Sequence, residues 1–125
     1  MSLAIEESIR DDVVILAPGG QLTFRESDGL FERIKALGAA GRSKVVLDLR
    51  NVSHVDSAGL GAMVGGYTSL TRQGGTLKLL NPSKRALELL LMTQLSTLFE
   101  MFDEVQDAVG SSWPPAKSSS STSSG

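Results

Sequence analysis

Between Lys44 and Gln73 the chain changes its hydrophobic period once, and the change falls on Val55-Asp56-Ser57-Ala58-Gly59-Leu60-Gly61. Before it, Lys44-Val45-Val46-Leu47-Asp48-Leu49 is apolar with little alternation, the pattern of a strand covered on both faces, and Arg50 to His54 reads as a short connection. After it, Leu60, Met63, Val64, Tyr67 and Leu70 recur mostly at three- and four-residue intervals, as on the buried side of a helix. Asp56 and Ser57 therefore lie where a strand side hands over to a helix. Both are good N-caps, because their side-chain oxygens accept from the unpaired N–H groups of a first helical turn. Gly59 and Gly61 leave that turn bare, so that a backbone or a large group can approach. A short hydroxyl beside a carboxylate, at the positive end of a helix, is a place where a phosphate fits.

The flanking chain extends the same logic. Leu3 to Arg10 is weakly strand-like, Asp11-Asp12 is a turn pair, and Val13 to Ala17 is a β-branched strand, which together predict a hairpin. Pro18-Gly19-Gly20 is expected to break the ladder and open a loop through Gln21-Leu22-Thr23. Ser27 or Asp28 is the expected cap of a helix with Leu30, Phe31, Ile34 and Leu37 inward, ended by Gly38 and Gly41. The helix that begins near Ser57 runs to Gln73 and stops at Gly74-Gly75. Thr76 to Leu80 is a short strand, and Asn81-Pro82-Ser83 opens a helix to Met92 with Ala86, Leu87, Leu90 and Leu91 inward. Leu98 to Phe102 reads as a last strand, although a helix fits nearly as well, and Asp103 to Val109 as a short closing helix. Strands alternating with helices over short connections predict an α/β fold with a mixed, mostly parallel sheet and helices packed on it.

Composition excludes several classes of function. A formal charge of -2 is wrong for a general nucleic-acid binder. The absence of cysteine removes disulfides, thiolate metal sites and cysteine nucleophiles, and is compatible with a reducing compartment. Met1 to Arg10 carries Glu6 and Glu7 and lacks a signal-peptide core, and no stretch is long and apolar enough to span a bilayer. The expectation is a cytoplasmic protein with no membrane segment. Residues 1–109 form one domain in this reading. Gly110 to Gly125, mostly Ser with Pro114-Pro115, Trp113 and Lys117, is expected to be disordered.

The strand Val45 to Leu49, the Asp56-Ser57-Ala58-Gly59-Leu60-Gly61 run, Gly74-Gly75 and the Pro82 helix together resemble the STAS domain of bacterial anti-sigma factor antagonists. The similarity covers roughly Ile5 to Val109. It implies a regulatory protein and not an enzyme: one that binds an anti-sigma factor serine kinase, and so controls sigma-factor-dependent transcription. The kinase phosphorylates the serine after the Asp, here Ser57, which ends the interaction, and a metal-dependent serine phosphatase resets it. ATP and metal belong to those enzymes, so the resemblance implies no cofactor, metal site or catalytic residue in this chain, and neither nucleic acid nor membrane as partner. Asp56, Ala58, Gly59, Leu60 and Gly61 are the implied partner contacts, joined by Gln21, Leu22 and Thr23 from a second family segment. The family usually carries acidic residues where this chain has Gln21 and Thr23, and a Gly where it has Gln94. A monomer is expected, with a dimer left open.

Other readings of the same residues remain. Ser57 taken by spacing alone is an N-cap, and a STAS-like scaffold or transporter-associated subunit that binds constitutively would need no more of it. A serine nucleophile would need an oriented base; the lone His54 is a loop or strand-end residue, and the run lacks the Gly-x-Ser-x-Gly form. Gly59-x-Gly61 lacks the third glycine of a dinucleotide fingerprint.

Overall fold

The computed structural model describes residues 4–114 and is built on a long second strand that changes neighbours half-way. Strands β1 (Ala4–Arg10) and β2 (Val13–Leu22) form the expected hairpin. Asp11 and Asp12 take φ of 48° and 72°, the positive angles that a two-residue turn needs to match the twist of its strands. Val14 to Leu16 then pair in parallel with Val45 to Leu47 of β3 (Lys44–Asp48). Beyond Pro18, β2 continues and pairs instead with β4 (Val52–Val55): Gly20 lies opposite Val52, Gln21 opposite His54 and Leu22 opposite Val55, across an irregularity at Gly20.

This corrects two expectations. Pro18-Gly19-Gly20 does not end the strand, and Arg50 to His54 is not merely a connection. Proline is tolerated because no ladder bond is asked of its nitrogen between the β3 and β4 pairings. The sheet reads β1-β2-β3-β5-β6 with β4 attached to β2, where β5 is Thr76–Leu80 and β6 is Met101–Phe102. Only the β1–β2 pair is antiparallel, so the mixed, mostly parallel sheet is as predicted. The final strand is shorter than Leu98 to Phe102, because Leu95–Thr97 forms a 3₁₀ turn before it.

Strand alternation sorts the core into two layers. Val14, Leu16, Val45, Leu47, Leu77 and Leu79 face helices α1 (Phe24–Ala39), α2 (Ser57–Arg72) and α3 (Lys84–Met92). Val13, Ile15, Val46 and Leu80 face the other way, under α4 (Val105–Gly110). Leu91 is 56% exposed, against the inward position expected of it, while Ala86 and Leu90 are buried. Gln94 takes the left-handed conformation, φ 64°, that a glycine would occupy more cheaply at the end of α3.

One charged residue lies inside the second layer. Lys78, on β5, is 2% exposed. Its ammonium meets Glu100 at 2.7 Å, donates to Ser111 Oγ at 2.8 Å and to the Ser112 carbonyl, and stands 4.4 Å from the centre of the Trp113 ring. Trp113 in turn donates its indole N–H to the Val109 carbonyl at 3.1 Å. The segment expected to be disordered from Gly110 therefore contributes residues 110–114 to the fold; its remainder, 115–125, lies outside the described residues.

Truncation after Gly110 should strip Lys78 of its Ser111, Ser112 and Trp113 contacts, leaving Glu100 and the Phe102 ring 5.7 Å away, and should cost about 1–3 kcal/mol in urea denaturation. Lys78→Met in the truncated chain should recover part of that loss, because no charge is then left buried. Unchanged stability on truncation would mean that the segment adds nothing to the fold.

Candidate functional site

The two segments singled out in the sequence meet at one carboxylate. Val55 ends β4 beside Leu22 at the end of β2, so the residues that follow each strand emerge together. Asp56, not Ser57, is the N-cap of α2: its Oδ1 accepts from Gly59 N–H at 2.9 Å. Its Oδ2 accepts from Phe24 N–H, the first residue of α1, at 3.1 Å. Asp56 N–H donates back to the Leu22 carbonyl at 3.2 Å. One side chain thus closes the N-termini of two helices, and two positive helix ends converge on it.

Ser57 is left as the first residue of α2, exposed, with no hydrogen bond to its hydroxyl among the described residues. The reading of Ser57 as a helix cap is therefore corrected. Gly59 N–H is taken by the Asp56 side chain and Leu60 N–H by the Asp56 carbonyl, which leaves the N–H groups of Ser57 and Ala58 as the open donors of the turn. His54 is exposed on β4, and no hydrogen bond joins it to Ser57.

α1 begins earlier than expected. Its N-cap is Thr23, and Ser27 is already inside the helix and buried. Thr23 Oγ1 donates to Glu26 Oε1 at 2.6 Å, while the Thr23 carbonyl accepts from Glu26 and Ser27 N–H. The sequence signal was present: Thr23-x-x-Glu26 has the spacing of a capping box. Reading it would have placed Phe24 on the first turn, where it is 78% exposed next to the shared carboxylate.

The expected contact residues divide by burial. Gln21, Ser57 and Gly61 are exposed, and Thr23, Asp56 and Ala58 are half-buried. Leu22 is fully buried, Leu60 is 7% exposed, and Gly59 is buried as well. Those three pack inside the domain, and the accessible members of the expected contact set are the other five, Gln21, Thr23, Asp56, Ala58 and Gly61. A Cβ on Gly59 would collide with the Leu22 carbonyl and press on Val55, so glycine is there to let α2 lie against the ends of β2 and β4. Gly65 and Gly66 receive Phe31 and Ile34 of α1 in the same manner further along α2.

A model of the STAS domain matches residues 4–108. The chain belongs to the STAS family. An anti-sigma-B factor antagonist from Staphylococcus epidermidis is 33% identical to this STAS protein over 101 residues, which are 81% of this chain and 94% of the relative. A Thermotoga maritima structure, provisionally named an anti-sigma factor antagonist, superposes with a TM-score of 0.79 at 27% identity, covering 84% of this chain and 91% of that one. At 20% identity the fold is shared with the anti-sigma factor antagonist SpoIIAA, solved unphosphorylated and phosphorylated, with TM-scores of 0.66 and 0.68; 86% and 85% of this chain are covered, against 93% and 96% of SpoIIAA. This STAS domain is thus of the anti-sigma factor antagonist type. No helix among the described residues is long and apolar enough to cross a membrane, and no group of three or more His, Asp or Glu there is placed to hold a metal.

Four substitutions test the geometry. Asp56→Ala should cost about 1–2 kcal/mol by loss of the caps. Asp56→Asn should cost about half of that, since its single oxygen can serve only one of the two helices. Gly59→Ala should cost about 1–3 kcal/mol through overpacking. Gly61→Ala, which meets open space, should be neutral or stabilising. Chemical denaturation of the four variants reads all of this directly.

Proposed function

We propose that this STAS domain protein is a binding switch: it engages an anti-sigma factor that is a serine kinase while Ser57 is unmodified, and is released when that kinase phosphorylates Ser57. The observation that carries the reading is the free Ser57 hydroxyl on the first turn of α2, beside a carboxylate already committed to holding two helices. Gln21, Thr23, Asp56, Ala58 and Gly61 surround it as the accessible partner surface, and Phe24 adds an exposed ring. A serine phosphatase would restore the binding form. The chain itself acts without catalysis, cofactor or metal.

The chemistry suits a modification that changes binding without unfolding the domain. A phosphate on Ser57 adds about -1.5 to -2 charges at neutral pH. It faces repulsion from Asp56, offset by the open N–H groups of Ser57 and Ala58 and by a helix N-terminus that favours anions by roughly 0.3–1 kcal/mol. A partner surface fitted to a neutral hydroxyl has no such offset, and meets both the bulk and the desolvation cost of the added group.

Incubation with the kinase and ATP should add one phosphate by intact mass, and Ser57→Ala should abolish it. Titration calorimetry against the kinase should show phosphorylated protein binding at least about tenfold more weakly, a loss of roughly 1.4 kcal/mol, with Ser57→Ala still bound. Equal affinity of the phosphorylated and unmodified forms would replace the switch with a constitutive scaffold.

A further inference from the structure

The outer edge of β1 has no strand partner among the described residues. Pro18 reveals which residues face that edge. Ile5 lies opposite Pro18, which has no N–H, so this cannot be one of the pairs that exchange both backbone hydrogen bonds. By alternation the bonded pairs are Ala4–Gly19, Glu6–Ala17, Ser8–Ile15 and Arg10–Val13. Ile5, Glu7 and Ile9 therefore turn their N–H and C=O groups outward. An open ladder of this kind is a template for another strand.

We propose that the occupant is β1 of a second copy, paired antiparallel about a two-fold axis between the two Ser8 residues. In this register Glu7 lies opposite Ile9 of the second copy, and both residues are outward-facing, as a bonded pair must be. Glu6 lies opposite Arg10 of the second copy, twice over by symmetry. Such non-hydrogen-bonded positions bring side chains closest, and opposite charges there are stabilising. Neither Glu6 nor Arg10 forms an ion pair within the described residues.

The other symmetric registers fail on charge or length. Centring on Glu6 or on Glu7 sets that carboxylate against its own copy. Centring on Ile9 sets Glu7 against Asp11, and centring on Ile5 leaves only Ala4 to Glu6 overlapping. Of these, the Ser8 register alone sets unlike charges opposite each other, with Glu6 to Arg10 of each strand overlapping. On the helix side, Glu7 is held by Arg33 at 3.1 Å, and Ile9, now 50% exposed, would come to rest beside the Glu7 stem of the second copy. The interface uses neither Asp56 nor Ser57, so it stands apart from the switch.

Sedimentation equilibrium of the full chain over a concentration series tests the assignment. Wild type should show a reversible monomer–dimer equilibrium. Glu6→Arg or Arg10→Glu alone should weaken it at least about tenfold, and the two together should restore it to within about threefold of wild type. Ile9→Pro, which removes an outward N–H and leaves the β2 pairing intact, should abolish it, with circular dichroism confirming an unchanged fold. A wild type that stays monomeric throughout overturns the proposal. So does a dimer indifferent to the single reversals or to Ile9→Pro, or a double reversal that fails to rescue.

Discussion

The Asp56 carboxylate is the constraint on which the site depends. Each oxygen serves a different helix, one bonded to Gly59 N–H and the other to Phe24 N–H. The two oxygens of one carboxylate are a fixed short distance apart, so the starts of α1 and α2 cannot drift relative to each other without breaking a charge-assisted bond. The glycines complete the arrangement. With no side chain at Gly59, α2 settles on the ends of β2 and β4, and with none at Gly65 and Gly66 it receives Phe31 and Ile34. Ser57 is therefore presented by a rigid corner of the domain, and not by a loop.

That corner exists because β2 outlives its first neighbour. Its N-terminal half pairs with β3 and builds the sheet, and its C-terminal half leaves the sheet's plane of pairing to hold β4. Pro18 marks the exchange, a residue that breaks most strands and here sits where neither ladder needs a donor. The same absence of an N–H fixes the phase of the β1 pairing. One proline thus organises bonding on both sides of its strand.

Much of this was legible in the sequence, and the failures have common causes. The strands Lys44 to Asp48 and Thr76 to Leu80, the helix from Ser57 and the helix after Ser83 were readable because their apolar period is unambiguous and their ends are capped or stopped by glycine. β4 was missed because Asn51-Val52-Ser53-His54 has too few apolar residues to signal a strand; its pairing with β2 is a tertiary fact. The start of α1 was misplaced because Ser27 and Asp28 look like caps, and only the Thr23–Glu26 spacing tells otherwise. That Asp56 and Ser57 open the second helix was readable, but their division of labour was not. Two adjacent residues can both cap a helix, and only the position of α1, far away in sequence, decides that Asp56 does so. Burial of Leu22 and Leu60 likewise follows from which face of the corner meets the sheet.

The second layer of the core has a spectroscopic corollary. The chain contains a single tryptophan, and it stacks on the Lys78 ammonium on the sheet face opposite to α1 and α2. Its indole N–H is tied to the end of α4, and its ring to a charge that cannot reach water. Intrinsic emission from this protein is consequently a private report on the closure of its C-terminal side. A shift in that emission on heating dates the release of residues 110–114 from the sheet, and Tyr67, stacked edge-on with Phe99 in the other layer, offers a separate absorbance marker for the helix side. Each face of one small sheet thus carries its own optical reporter, without a label on either.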